Sequence, residues 1–269
     1  MASEQEVLFT LDEGVGIVTL NRPDRLNAVT PEVTYRLCQL FGEIRERDDV
    51  RAVVLTGAGK HFCGGGDVGW ISTTMDVSQP APHPRHEIKL PGYPFANFTR
   101  AIIEVDKPVI AAISGVAVGI GLTFALATDR RIADTTARMA AIFVRRGLIP
   151  EGGISFFLPR LVGLSRALKM VTTGEMLDAK AAKEAGLVDD LVEEGQALSA
   201  ALEYARQFAR GPSVAVDLAR RHIYKSLLST LDEVIEFEAF GAALNARTND
   251  ALEGVKSFLE RREAAFKGD

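Results

Sequence analysis

Two stretches of this chain repeat one plan: a buried apolar strand, a glycine-dense loop, then a helix. The first occupies residues 52–72. Ala52-Val53-Val54-Leu55-Thr56 runs into Gly57-Ala58-Gly59-Lys60-His61-Phe62-Cys63-Gly64-Gly65-Gly66-Asp67. The second occupies residues 109–128. Pro108-Val109-Ile110-Ala111-Ala112-Ile113 leads through Gly115, Gly119 and Gly121 into an apolar helix over 122–128. Continuous apolar runs of this length, each followed by glycines and a helix, predict buried strands in an α/β architecture. The self-similarity is a weak internal repeat.

The rest of the chain fits around these units. Val7-Leu8-Phe9 and Val15–Leu20 read as strands about the turn Asp12-Glu13-Gly14. Thr30-Pro31 supplies an N-cap and a first-turn proline, and Val33, Leu37, Leu40, Phe41 and Ile44 carry that helix to about Arg47. Residues 72–98 are irregular and hold Pro80, Pro82, Pro84, Pro91 and Pro94, which predicts a functional or mobile loop. Residues 98–105 read as helix. Leu198, Ala201, Leu202, Ala205, Phe208 and Ala209 mark another, and beyond Gly211-Pro212 helical patterns run to Lys267. The expected division is a core at 1–195 and a helical region at 196–269, and helices so placed often build subunit contacts.

Composition mainly excludes. With 269 residues the chain can form one large domain, or one with an appendage. A net charge of −5 provides no general basic field for nucleic acid. The pairs Arg145-Arg146, Arg220-Arg221 and Arg261-Arg262 read as solvated or interface surface, with Arg145 and Arg146 alternatively answering a substrate carboxylate. Cys38 and Cys63 show no metal-ligand spacing, and His83 and His86 lack suitably spaced partners, so no metal is expected. No apolar run reaches the roughly 18 residues of a membrane span, and the polar, acidic start resembles no export signal; a cytoplasmic protein is expected.

Glycine loops at strand-to-helix junctions expose the first N–H groups of the helix. Two of them side by side can aim two N–H groups at one oxygen, as an oxyanion hole. The competing readings are a dinucleotide site and tight packing alone. The dinucleotide fingerprint fails at its third glycine, where Gly119-Ile120-Gly121 is followed by Phe124. Packing alone stays open.

Several segments form one ordered pattern: Asn21-Arg22-Pro23 with Leu26-Asn27-Ala28, Val54–Gly57 with Phe62–Asp67, and Lys107–Gly115 with Ala117, Gly119, Ala125 and Asp129. Gly147–Pro150, Leu158–Gly163, Ala181–Asp189 and the terminal Glu253-Gly254, Phe258, Arg261-Arg262 and Phe266 complete it. In these segments, across nearly its whole length, the sequence resembles the crotonase (enoyl-CoA hydratase/isomerase) superfamily. The resemblance implies a crotonase-like spiral of ββα units with a C-terminal helical trimerisation region, and a homotrimer or hexamer. It also implies an acyl-CoA substrate, with coenzyme A entering as part of that substrate and no separate cofactor. By motif position the oxyanion-hole donors would be Gly66 and Ile120, the latter in place of the usual glycine, which narrows the pocket. CoA contacts would fall on Arg25, Gly64, Gly65, Asp67, Val68, Phe258 and Arg261, the last two from a neighbouring subunit if the chain assembles.

The chain departs from the family at the two glutamates of its hydratases, where Thr123 and Phe143 stand. Neither moves a proton at neutral pH. Glu151, eight residues beyond Phe143, falls where related isomerases and dehalogenases resemble one another in an aspartate. An apolar setting of Phe143, Ile149 and Phe156 would raise its pKa into a useful range. The plainer role is to cap the following helix with negative charge. With Glu151 as acid and base, a 1,3-proton shift in an unsaturated acyl-CoA is the simplest chemistry; hydration by the same group is the next. A dehalogenase- or C–C-hydrolase-like reaction, and a CoA-binding scaffold without catalysis, are the alternatives. Asp67 reads as a helix cap, His61 as a surface residue, and Trp70 and Phe95 as acyl-tunnel or packing residues.

Overall fold

The computed structural model describes residues 5–74 and 94–269. Strands β1 (Val7–Asp12) and β2 (Val15–Leu20) form an antiparallel hairpin around Glu13 and Gly14, both at positive φ. Then β3 (Ala52–Gly57), β4 (Val109–Ile113), β6 (Arg130–Asp134) and β9 (Asp190–Val192) extend the sheet in parallel, in the order β1-β2-β3-β4-β6-β9. A second sheet joins β5 (Val116–Val118), β7 (Arg138–Ala140) and β8 (Leu177–Asp178).

The central strands are covered on both faces, which explains their unbroken apolar character. Along β3, Val53 and Leu55 join the larger core cluster, while Ala52 and Val54 join a smaller one on the opposite face. Strand β4 divides in the same way: Val109, Ala111 and Ile113 on one side, Ile110 and Ala112 on the other. The larger core receives helix α1 (Pro31–Arg45), capped by the Thr30 side chain, which accepts from Val33 N–H at 3.3 Å. Helix α2 (Val68–Thr74) follows the first glycine loop. Helix α3 (Pro94–Glu104) begins earlier than the expected 98–105. Residues 75–93, with Pro80, Pro82, Pro84, Pro91, His83 and His86, lie outside the described residues.

Helix α4 (Ile120–Ala127) starts at Ile120 rather than Leu122. All eight of its residues are buried, so no polar face marks its ends in the sequence. Edge-to-face ring pairs Phe41–Phe98 and Phe98–Phe124, with centroids 5.0 and 4.7 Å apart, bind α1, α3 and α4 together. Helices α5 (Ile154–Val162), α6 (Leu164–Thr173) and α7 (Ala179–Ala185) follow.

Helix α8 (Ala197–Ala209) lies on the smaller face of the sheet, burying Ala197, Ala201 and Ala205 against it. The expected division near residue 195 therefore falls just before a helix that packs on the sheet. Helix α9 (Ser213–Ser226) is anchored by Arg220 to Asp129 at 2.7 Å. Helices α10 (Leu231–Asn245) and α11 (Asn249–Glu260) are largely exposed and carry many large apolar side chains.

Candidate functional site

The first glycine loop is not a free loop. It runs as an extended strip between two neighbours. On one side Cys63 N–H donates to Val116 O at 2.9 Å and Val118 N–H to Cys63 O at 3.1 Å. On the other, Gly64 N–H donates to Leu26 O at 2.7 Å, Val29 N–H to Gly65 O at 2.8 Å, and Asp67 N–H to Val29 O at 2.9 Å. The Gly66 N–H takes no part in these bonds and donates to no protein acceptor among the described residues. The second loop ends at Gly119, whose N–H donates to Ala140 O at 3.0 Å. The next residue, Ile120, opens α4, so its N–H is one of the orphan donors of a helix start. It too donates to no protein acceptor among the described residues.

The two loops touch through their backbones. A methyl group placed on Gly65 would lie 2.9 Å from Val118 O and 3.7 Å from Ile120 N. A side chain there would force the loops apart, so glycine is needed for the approach. Next to it, a methyl on Gly66 would meet Ile71 Cδ1 at 3.4 Å and Phe95 Cζ at 3.8 Å. Ile71 and the buried Phe95 thus wall one side of this strip with apolar surface.

The loop bearing Glu151 approaches from the 3-10 turn Ile142–Arg146 and Pro150. The Thr123 hydroxyl lies 3.3 Å from Glu151 O and 3.4 Å from Gly119 O. Gly152, at φ +71°, packs on Ile120: a methyl there would fall 2.4 Å from Ile120 Cδ1 and 3.2 Å from Thr123 Cγ2. The Ile120 side chain therefore fills the space beside Gly152. Helix α5 starts after Gly153 with no side-chain cap, and Glu151 is half-buried. Of the three residues expected to make its setting apolar, Phe143 is buried and Phe156 half-buried against the core, whereas Ile149 is 79 % exposed.

Thr123 and Phe143, expected at the positions of the hydratases' glutamates, are both buried. Phe143 belongs to the main core. Cys63 is buried, which pushes its thiol up to about 12 despite a hydrogen bond from Gly65 N–H, so it stays a neutral thiol near pH 7. His61 is half-buried, with Nδ1 accepting from Val116 N–H at 3.3 Å.

The CoA-contact candidates divide into two groups. Arg25, Gly64, Gly65, Asp67 and Val68 lie on adjoining segments, with Arg25 exposed and Val68 50 % exposed. Asp67 caps α2, accepting from Trp70 N–H at 3.2 Å, and pairs with Arg22 at 2.9 Å. Burial opposes its charge, but these partners outweigh burial and hold the carboxyl below its ordinary value. Phe258 and Arg261 stand apart. Phe258 is 81 % exposed, Arg261 is an exposed αL residue ending α11, and among the described residues no hydrogen bond or ion pair links either to the glycine loops.

Two framework residues carried no assigned role in the sequence. Asn27, buried at φ +55°, donates to Ala58 O at 2.9 Å and His61 O at 2.5 Å while accepting from Arg22 N–H at 2.9 Å. Arg22 reaches Glu6 at 2.8 Å as well as Asp67. Together they pin the Leu26–Val29 strip against which the glycine loop is laid. Only their place in the Asn21–Ala28 motif hinted at this.

The touching glycine strips thus leave two backbone N–H groups, of Gly66 and Ile120, without a protein acceptor among the described residues of an α/β fold. Residues 10–269 match the enoyl-CoA hydratase/isomerase family, and the chain belongs to it. It is 34 % identical over 263 residues to the 1,2-epoxyphenylacetyl-CoA isomerase of Escherichia coli (strain K12), covering 97 % of this chain and 98 % of that protein. It is 35 % identical over 264 residues to the (E)-benzylidenesuccinyl-CoA hydratase of Thauera aromatica, covering 97 % and 99 %. A solved structure of an enoyl-CoA hydratase from Bacillus anthracis superposes with a TM-score of 0.89 at 30 % identity, covering 98 % and 100 %. The crotonase fold is thus that of the chain. No helix among the described residues is long and apolar enough to cross a membrane.

Proposed function

We propose that the protein isomerises an unsaturated acyl-CoA through a thioester enolate. The Gly66 and Ile120 N–H groups take the thioester oxygen, and Glu151 moves the proton. The observation that carries this reading is the pair of backbone donors without a protein acceptor on touching loops, with the Glu151 carbonyl against the helix that supplies one of them.

The steps balance with one carboxylate. Glu151 as its anion removes a proton from carbon next to the double bond. The electron pair moves through the conjugated system onto the thioester oxygen, where two N–H dipoles stabilise the charge. Glu151, now protonated, returns the proton at the other end of the allylic system, and the carbonyl re-forms. Nothing is oxidised or reduced, and no water is consumed. The hydratases among the relatives add water instead, and that chemistry is the second outcome to measure.

Arg25 and the Gly64–Val68 strip are the nearer CoA contacts in this proposal. Phe258 and Arg261 supply the others from a neighbouring subunit of a homotrimer or hexamer, which their exposure supports.

The test is Glu151→Gln, assayed on a panel of 2- and 3-enoyl-CoA esters alongside acyl-CoA binding by calorimetry. The expected result is retained binding with turnover lowered by about 10²–10⁴-fold, the usual worth of a positioned acid/base. Unchanged turnover refutes the role of Glu151. A wild-type protein that binds acyl-CoA but turns over nothing on the panel identifies a CoA-binding scaffold.

A further inference from the structure

Position 123, where the family's hydratases carry a glutamate, faces the loop that brings Glu151 into the site. Its side chain here is a fully buried threonine. The hydroxyl shares its proton between Glu151 O at 3.3 Å and Gly119 O at 3.4 Å, and its methyl carbon lies 3.2 Å from where a Gly152 methyl would stand. One turn earlier, Ile120 also replaces a glycine, and its Cδ1 occupies the space over Gly152. Both lie on the first turn of α4 and both face Gly152, and Thr123 also reaches the Glu151 carbonyl.

The geometry points to Ile120 and Thr123 as positioning residues that lock the Glu151 loop onto the start of α4. This rests on the proposed role of Glu151 and extends it. The helix turn that presents the Ile120 N–H also fixes the backbone carrying the carboxylate, so both halves of the site ride on one rigid element. At the near end of the loop Ile149 is exposed while Leu148 packs on the core. At its far end the Thr123 hydroxyl and the Ile120 side chain add their contacts. Thr123 moves no proton in this scheme. It acts through Glu151.

The experiment compares Thr123→Val, Thr123→Ser and Glu151→Gln in the otherwise intact protein. Valine keeps the shape of threonine and drops the hydroxyl; serine keeps the hydroxyl. Proton exchange into acyl-CoA in deuterated water gives kcat and KM, and thermal melting reports the fold. Thr123→Val is expected to lower kcat by about ten- to a hundredfold, the range for a displaced catalytic group, with KM changed by less than about twofold. Thr123→Ser is expected to recover most of the loss, and the alkaline and acidic limbs of the kcat–pH profile to shift in the valine variant only. Equal kcat and an unmoved pH profile in Thr123→Val, while Glu151→Gln is inactive, overturn the lock and leave the proposed catalysis standing. Full activity in Glu151→Gln overturns both. If Thr123→Val does not fold, a kcat for Thr123→Ser more than about tenfold below wild type, in a protein melting normally, also counts against the lock.

Discussion

At Gly152, backbone angle and neighbouring side chain make the same demand. Its φ of +71° costs an L-residue about 1–2 kcal/mol, and a methyl would press on Ile120 Cδ1 at 2.4 Å. Gly152→Ala should therefore destabilise by about 1–3 kcal/mol in urea unfolding. Adding Ile120→Ala should return part of that loss, because it clears the steric part and leaves the angular part. A second substitution that makes matters worse by its full separate cost would show that the two residues do not touch in solution. Asp134 offers a pH-dependent case. Burial opposes its charge, but Ser114 Oγ at 2.6 Å, Thr136 N–H at 2.9 Å and Gly195 N–H at 3.1 Å hold its carboxyl below the ordinary value. A depressed folded-state value contributes stability above the unfolded value of about 4 and loses it as pH falls through the folded one. Stability followed by denaturant titration should fall on that acid limb, and the limb should flatten in Asp134→Asn.

Among the elements, helix α9 depends on one buried guanidinium. Arg220 donates to Asp129 at 2.7 Å and to Ile102 O at 2.8 Å and also bonds Ile103 O, while Tyr224 donates to the same Asp129 at 2.7 Å. Asp129 in turn receives Val109 N–H at 2.7 Å, so the cluster ties α9 to β4 and to the end of α3. Arg220→Ala leaves that carboxylate and two carbonyls short of a partner, and should cost about 3–5 kcal/mol by chemical denaturation. A loss under about 1 kcal/mol would mean that water replaces the arginine freely. What the sequence shows of these elements follows from their length and sidedness. Helix α1 was legible because Thr30, Pro31 and its apolar stripe agree, and β3 and β4 because glycines bound their apolar runs. Strands β5, β7 and β8 have two or three residues each, too few to show a period of two. The same holds for the site. The glycine loops announce two backbone donors, but the Thr123–Glu151 contact spans 28 residues and arises only when α4 and the Glu151 loop meet. Ile149 misled because an apolar residue before Pro150 looks like a pocket wall, whereas the turn puts it in solvent.

At the scale of the whole molecule, the C-terminal helices carry the clearest signal. Leu252, Val255 and Leu259 are 65 %, 64 % and 75 % exposed at helical spacing on α11, and Phe240 is 69 % exposed on α10. So much large apolar side chain in water is costly, and this exposure supports the proposed trimer or hexamer. Leu252→Glu with Leu259→Glu should shift sedimentation toward the monomer and weaken acyl-CoA binding together, since Phe258 and Arg261 share that helix end. A wild-type protein that already sediments as a monomer would contradict the assembly and its part in the site.

The chemistry is tested most directly by deuterium incorporation into an enoyl-CoA in deuterated water, followed by mass spectrometry with wild type and Glu151→Gln at saturating substrate. The wild type should label the ester at the enolisable carbons, and the glutamine variant should bind it equally well yet leave it unlabelled over many wild-type turnover times. Equal labelling by both proteins would contradict a proton carried by Glu151.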